Sequence, residues 1–118
     1  MEKENVLLEK SYGFALMIVR IYLYMQKDLK EYELSRQLLK CGTSIGANAE
    51  EAVGAQSRKD FISKMSISYK EARETHFFLR LLRDSDILQK NILLKLIGSC
   101  EELLKIITSI LNTSKRNI

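Results

Sequence analysis

The chain contains no proline in 118 residues and only five glycines. Proline interrupts the hydrogen-bond ladder of a helix and is common in turns, so a chain without it suits long helices joined by short connections. No segment alternates apolar and polar residues between turn signals in the way that a half-buried strand does. The sequence therefore predicts an all-α fold.

Four segments carry apolar residues at the three- and four-residue spacing of amphipathic helices. They extend over about residues 5–29, 35–53, 58–83 and 90–112. Four such helices with short connections favour an antiparallel up-down-up-down four-helix bundle. The length of the chain fits one four-helix-bundle domain over residues 1–118.

Polar residues and a glycine mark the ends of the predicted helices. Ser35 is the predicted N-cap of the second helix, and Gly54 is its predicted C-cap. Ser57 and Asp60 have the spacing of a capping box, with aspartate in place of the usual glutamate, and predict the start of the third helix.

The sequence carries no signal for a membrane or for secretion. No stretch approaches the ~18 uncharged apolar residues that a membrane span requires. The first ten residues carry charges of both signs, unlike a secretory signal peptide. We therefore expect a cytoplasmic protein without membrane contact, in which Cys41 and Cys100 are buried free thiols.

Residue patterns that support catalysis or metal binding are missing from the sequence. His76 is the only histidine, and its position on the inner side of the third helix indicates a packed side chain rather than a catalytic base. The Glu-x-x-His pairs of di-iron bundles, a glycine-rich phosphate loop and a nucleophile elbow are all absent. We expect no enzymatic activity, no cofactor, no metal and no catalytic residue.

The first and third helices carry a second apolar stripe opposite the one that faces the core. The Leu16 stripe, on the first helix, consists of Tyr12, Leu16, Val19 and Leu23. The Phe78 stripe, on the third, consists of Ile67, Phe78 and Leu81, with Glu71 and Glu74 among them. A monomeric bundle needs one apolar stripe per helix, and an exposed apolar patch usually marks an interface. Both stripes are therefore predicted to bind other copies of the chain.

The second helix has two unlike flanks. Gly42 and Gly46 lie on one of them, and because glycine costs about 1 kcal/mol in a helix interior, the pair indicates close approach of a neighbouring helix. The other flank carries a polar stripe, which consists of Gln37, Ser44, Asn48 and Glu51. We interpret the polar stripe as a hydrogen-bonded contact between helices or subunits. The alternative is a ligand site built on Asn48 and Glu51.

One side of the third helix combines cations with an aromatic residue. This basic side consists of Lys59, Lys70, Arg73, Phe77 and Arg80. Binding of nucleic acid through phosphate neutralisation and base stacking requires that combination. The alternatives are a solvated surface and arginine–glutamate pairs across subunits. The net charge of +4 lies below that of a dedicated nucleic-acid binder.

Several sequence runs together resemble the bacterial four helix bundle protein family, also called the 23S rRNA-intervening-sequence proteins. They are QLLK (37–40), TSIGAN (43–48), EA (51–52), SRKDF (57–61), KEARET (70–75) and LRLL (79–82). The chain departs from the family at Ala52, where many relatives carry glycine, and at Phe78, where many carry tryptophan.

The resemblance implies a four-helix bundle that assembles into a ring-like homo-oligomer, a pentamer in relatives. Some members are encoded within insertions in 23S rRNA genes, which gives the family its name without establishing that they bind the ribosome. Accessory proteins of diversity-generating retroelements are distantly similar to the family, and they resemble basic oligomeric bundles that work with a reverse transcriptase and nucleic acid. We expect a non-enzymatic homo-oligomeric scaffold or adaptor. The alternative is a nucleic-acid-binding accessory protein, for structured RNA or as a reverse-transcriptase partner.

Overall fold

The computed structural model describes residues 2–116, and these residues form four long helices. They are α1 (Glu2–Lys27), α2 (Glu33–Val53), α3 (Arg58–Asp84) and α4 (Lys90–Arg116). Consecutive helices pack against each other and α4 returns to α1, so each helix has two neighbours in a bundle of 47 × 20 × 19 Å. The predicted all-α four-helix bundle is confirmed. None of the helices between residues 2 and 116 has an apolar run long enough to cross a bilayer.

The observed helix bounds differ from the predicted ones mainly in the first and last helices. The first helix spans Glu2–Lys27 rather than residues 5–29. Lys30, three residues beyond its end, adopts a left-handed conformation with φ of 53°. The last helix continues past residue 112 to Arg116, since the buried Ser114 packs the final turn against the bundle.

The predicted N-cap of α2 is wrong. The helix begins at Glu33, two residues before Ser35, and the carboxylate of Glu31 caps it. The two carboxylate oxygens of Glu31 accept hydrogen bonds from the backbone N–H groups of Leu34 (3.0 Å) and Ser35 (2.8 Å). The Ser35 side chain is buried, and its hydroxyl accepts a hydrogen bond of 3.0 Å from the amide of Gln26. Ser35 therefore links α1 to α2 instead of capping the helix.

The two other predicted caps are confirmed. Gly54 is the C-cap of α2, and its N–H donates to the carbonyl of Glu50 at 3.2 Å. Ser57 is the N-cap of α3, and its hydroxyl oxygen accepts a hydrogen bond of 3.0 Å from the backbone N–H of Asp60. These caps satisfy backbone groups that have no partner within the helix.

The core consists of the inner stripes of all four helices. Its largest fully buried side chains are Leu7, Ile18, Met25, Leu38, Ile45, Met65, Leu79, Leu82, Leu93, Leu96, Leu103 and Ile107. A polar contact crosses this core where the buried hydroxyl of Ser68 donates to the carbonyl of Ile45 at 2.7 Å. This bond fixes α3 against α2 because a buried hydroxyl without a partner is costly.

Glycines bring α1 close to α2, as the sequence predicts. A Cβ atom at Gly42 would lie 3.0 Å from Cγ1 and Cγ2 of Ile18. A Cβ atom at Gly46 would lie 3.1 Å from the hydroxyl oxygen of Ser11. A side chain at either position of α2 would require the contacted atoms of α1 to shift by a few tenths of an ångström.

The seam between α1 and α4 closes the bundle and is less extensive than the other three. Two exposed polar contacts cross it. The Lys10 ammonium lies 3.0 Å from a carboxylate oxygen of Glu102, and the Lys3 ammonium donates to the hydroxyl of Ser109 at 2.7 Å.

Candidate interaction surfaces

The Leu16 stripe is exposed along its whole length. Its four side chains are between 38% and 66% exposed, the least being Val19 and the most Tyr12. Tyr12 lines a shallow depression with Thr43 and Ala47 of α2. The other members of the stripe share the helix face of Tyr12. The stripe therefore runs along the side of α1 that borders α2. Its role as an interface stays a prediction.

The apolar members of the Phe78 stripe differ in exposure. Ile67 and Leu81 are exposed, whereas Phe78 is half-buried and packs at the edge of the core. The ring of Phe78 also contacts that of Phe77 edge to face, with 5.5 Å between the ring centroids. Phe78 therefore offers less apolar surface to a partner than its position on a helical wheel predicts.

The charged neighbours of Glu71 indicate that the Phe78 stripe lies on the side of α3 that faces α2. Partial burial raises the pKa of Glu71, and the nearby carboxylate of Glu74 raises it further. Lys70 and Lys40 lower the same pKa, and Lys40 belongs to α2. The Leu16 stripe and the Phe78 stripe thus border the two sides of α2, and one subunit presents two separate apolar patches.

The polar stripe makes local bonds and one contact between helices. The Ser44 hydroxyl donates to the carbonyl of Lys40 at 2.7 Å, and the Asn48 amide donates to the carbonyl of Ser44 at 2.8 Å. Glu51 forms an ion pair of 3.1 Å with Lys64 of α3. Asn48 and Glu51 therefore bond to different partners, and Gln37 is exposed to solvent.

Three residues of the basic side line a groove between α3 and α4. Arg73, Phe77 and Arg80 take part in it, while Lys59 and Lys70 are exposed elsewhere on α3. The groove consists of two adjoining depressions of about 680 and 480 Å³. These depressions share three lining residues, which are Arg73, Leu104 and Lys105.

Arginine side chains lie over aromatic rings in the groove. The guanidinium carbon of Arg73 is 6.0 Å from the ring centroid of Tyr69, and Nη1 of Arg73 donates to the Tyr69 hydroxyl at 3.4 Å. The guanidinium carbon of Arg80 is 5.9 Å from the ring centroid of Phe77, which is 48% exposed. These pairs have cation–π geometry and present flat, positively charged surfaces to solvent.

The interpretation of His76 as a packed core residue is wrong. Its side chain is 21% exposed, and Nε2 lies 3.0 Å from a carboxylate oxygen of Glu101 on α4. The residue lines the groove at the seam of α3 and α4 because it sits at the edge of the inner face of α3. Farther along the groove, Lys105 and Arg116 supply cations from α4.

The family model of the 23S rRNA-intervening sequence protein matches residues 3–109. The chain belongs to the 23S rRNA-intervening sequence protein family. It is 41% identical to a crystallised protein with unknown function from the S23 ribosomal protein family of Bacteroides thetaiotaomicron VPI-5482, with a TM-score of 0.91. The alignment covers 93% of this chain and 98% of that one. No curated protein sequence matches the chain significantly.

The family match includes both apolar stripes and the basic side, and it confirms the resemblance seen in the sequence. Sequence reasoning nevertheless missed several groove residues of this 23S rRNA-intervening sequence protein. Tyr69 precedes Arg73 by one helical turn, so the spacing of an aromatic–arginine pair could have identified it. Lys3, Lys105 and Arg116 come from other helices, and only the packing of α1 and α4 brings them to α3.

Both cysteines of this family member are buried free thiols, as predicted. The Cys41 thiol donates to the carbonyl of Leu38 at 3.7 Å, and the Cys100 thiol donates to the carbonyl of Ala72 at 3.4 Å. Burial raises the pKa of Cys41 to about 11 and that of Cys100 to about 12. Both are neutral at physiological pH and are poor nucleophiles. Residues 2–116 contain no cluster of three or more His, Cys, Asp or Glu side chains placed to hold a metal ion.

Proposed function

We propose that the protein is a non-enzymatic cytoplasmic scaffold that assembles from identical copies through the Leu16 stripe and the Phe78 stripe. The observation that carries this proposal is the exposure of every side chain in the Leu16 stripe. Covering the exposed part of each would contribute roughly 1 kcal/mol, which is about half of the value for a fully exposed side chain of this size. Several such residues on each subunit favour association.

The positions of the stripes favour a head-to-tail assembly. Because the stripes border opposite sides of α2, the Leu16 stripe of one copy is available to the Phe78 stripe of the next. Repetition of such a heterologous contact gives a closed ring when the rotation between subunits closes. The family resemblance supports a pentamer as the size of that ring.

Size-exclusion chromatography with light scattering tests the assembly. We expect the wild type to be an oligomer at micromolar concentration and Leu16→Glu to be a folded monomer, because the charge would be buried without a partner. Leu94→Glu is the matched control, since Leu94 is a 56% exposed leucine on α4 outside both stripes. A monomeric wild type would contradict the proposal. If Leu16→Glu still forms the oligomer, the Leu16 stripe is not the interface between subunits.

We propose nucleic-acid binding through the basic side of α3 as a second candidate function. The specific observation in its favour is the placement of Arg73 and Arg80 over aromatic rings in the α3–α4 groove. No residue of the Leu16 stripe lines this groove, and the Phe78 stripe meets it only at Glu74, so both proposed subunit contacts leave Arg73, Phe77 and Arg80 available to RNA or DNA.

A gel-shift titration tests the second function. Arg73→Gln/Arg80→Gln should lose binding of RNA at low salt, whereas Lys27→Gln/Lys95→Gln removes the same charge outside the groove and should retain it. Wild-type binding should weaken steeply between about 50 and 200 mM salt because it depends on phosphate contacts. If the arginine variant instead falls apart into monomers, these arginines pair with glutamates across subunits and the second function fails.

A further inference from the structure

We propose that the α3–α4 groove binds single-stranded nucleic acid, whose bases stack on Tyr69 and Phe77 while Arg73, Arg80 and Lys105 contact its phosphates. The inference rests on the second candidate function, that the basic side binds nucleic acid. It adds the kind of strand that is bound and extends the site beyond α3 to residues of α4 and α1.

Aromatic rings that line the groove favour a single strand over a duplex. Phe77 is 48% exposed, and its ring lies beneath Arg80 rather than in the core. Tyr69 is half-buried at the edge of the core, and its ring pairs with Arg73 at a similar distance. Rings and guanidinium planes bind unpaired bases by stacking, but the bases of a duplex are already stacked on one another and out of reach.

The spacing of the rings matches the repeat of a nucleic-acid strand. Tyr69 and Phe77 are eight residues apart on α3. This separation corresponds to about 12 Å along the helix axis. Stacked bases recur about every 3.4 Å along one strand, so the two rings are about three to four nucleotides apart. Each ring can therefore hold a different base of the same strand.

The charge of the groove complements a phosphate backbone. Five cations line it against two acids, and the whole chain has a net charge of only +4. The cations are Lys3, Arg73, Arg80, Lys105 and Arg116, and the acids are Glu74 and Glu101. Glu101 already contacts His76, which leaves Glu74 as the remaining acid. Five cations less two acids give this surface a net charge of +3, which favours contact with phosphates.

The α4 wall adds neutral hydrogen-bonding groups. Thr108, Ser109 and Asn112 lie beside Lys105 and face the same depression as Tyr69. Hydroxyl and amide side chains of this kind contact sugar and phosphate oxygens without reading base identity. We therefore expect binding with little sequence preference.

Fluorescence anisotropy with a labelled single-stranded RNA of mixed sequence, and with the same RNA as a perfect duplex, tests the inference on the assembled wild-type protein. We expect the single strand to bind at least about tenfold more tightly than the duplex, since the value of each base–aromatic stack corresponds to about tenfold or more in affinity. Tyr69→Leu/Phe77→Leu keeps apolar side chains of similar size at both positions. It should lose at least about tenfold in affinity for the single strand and little for the duplex.

Two controls separate the stacking contribution from folding and assembly. Tyr24→Leu removes an exposed tyrosine from α1, outside the groove and outside both stripes, and should bind like the wild type. Circular dichroism and light scattering should give the same helicity and subunit number for all variants. Because Tyr69 packs at the edge of the core, Phe77→Leu alone serves as the second variant and should lose part of the affinity.

The outcomes distinguish this inference from the function on which it rests. Equal affinity for single strand and duplex, unchanged in Tyr69→Leu/Phe77→Leu, would overturn the single-strand site and leave nucleic-acid binding standing. No binding of either RNA by an intact oligomer would overturn both. Polyglutamate serves as a competitor for the RNA. If it displaces the RNA completely and binds the leucine variant as tightly as the wild type, the groove binds an acidic protein partner and the single-strand site is overturned.

Discussion

The close contact of α1 with α2 makes a single added methyl group a sensitive test of the structure. In Gly42→Ala the new Cβ would lie 3.0 Å from two side-chain carbons of Ile18. Ile18 is fully buried and β-branched, so it has one strongly preferred rotamer and can shift only against the side chains packed around it. The variant therefore has to separate the two helices or strain the core.

The expected magnitude follows from two opposing effects. Alanine in place of glycine stabilises an exposed helix interior by about 1 kcal/mol. Overpacking of a well-packed core costs about 1–3 kcal/mol. Gly98 on α4 is the matched control, because a Cβ atom there would meet nothing within 4 Å. We expect Gly98→Ala to be stabilised and Gly42→Ala to lie about 1–3 kcal/mol below it in free energy of unfolding.

Thermal unfolding followed by circular dichroism measures this difference. Both variants must be compared at one protein concentration, since assembly makes the apparent stability depend on concentration. A difference of 1 kcal/mol corresponds to roughly 4 °C in a chain of this size, so Gly42→Ala should melt at least that far below Gly98→Ala. Equal melting temperatures would refute the close approach of α1 and α2.

The remaining predictions concern buried polar groups of the core. Because burial raises the pKa of Cys41 to about 11 and of Cys100 to about 12, a thiol reagent at pH 8 should modify neither residue before unfolding and both afterwards. Above the ordinary thiol pKa of 9.0, the two thiols ionise in the unfolded state before they ionise in the folded state. The free energy of unfolding should therefore fall between pH 9 and about 12, and it should fall by less in Cys41→Ala/Cys100→Ala. Ser68→Ala removes the 2.7 Å hydrogen bond to the carbonyl of Ile45, which keeps its bond within α2, and urea denaturation should show a loss of about 0.5–1.5 kcal/mol. An unchanged urea midpoint would show that this bond contributes nothing.

Features that depend on nearby residues were predictable from the sequence. The hydroxyl of Ser57 and the N–H of Asp60 are three residues apart, and the cap that they form was correctly predicted. Ser35 is equally suited to a cap by its type. The cap of α2 comes instead from Glu31, and no local pattern distinguishes a carboxylate that folds back on a helix from one that points to solvent.

Features that depend on the packing of distant helices were predictable only in part. Helical spacing correctly placed the Leu16 stripe on an exposed face. The same reasoning grouped Lys59 and Lys70 with Arg73, although the groove is lined on one side by α4 and excludes both lysines. To predict that Lys105 lines the groove, one must know which face of α4 packs against α3. The periodicity of a single helix does not give that information.

The limited seam between α1 and α4 has a consequence for the kinetics of folding. Every other helix contact joins neighbours in the chain, so its loop is short and its closure costs little entropy. The α1–α4 contact joins distant segments, and Lys10–Glu102 and Lys3–Ser109 are exposed to competition from water. We expect this seam to form last during folding and to open first in the native state. Backbone amides of α1 should then exchange with solvent earlier than those of α2, which lies between two extensive contacts.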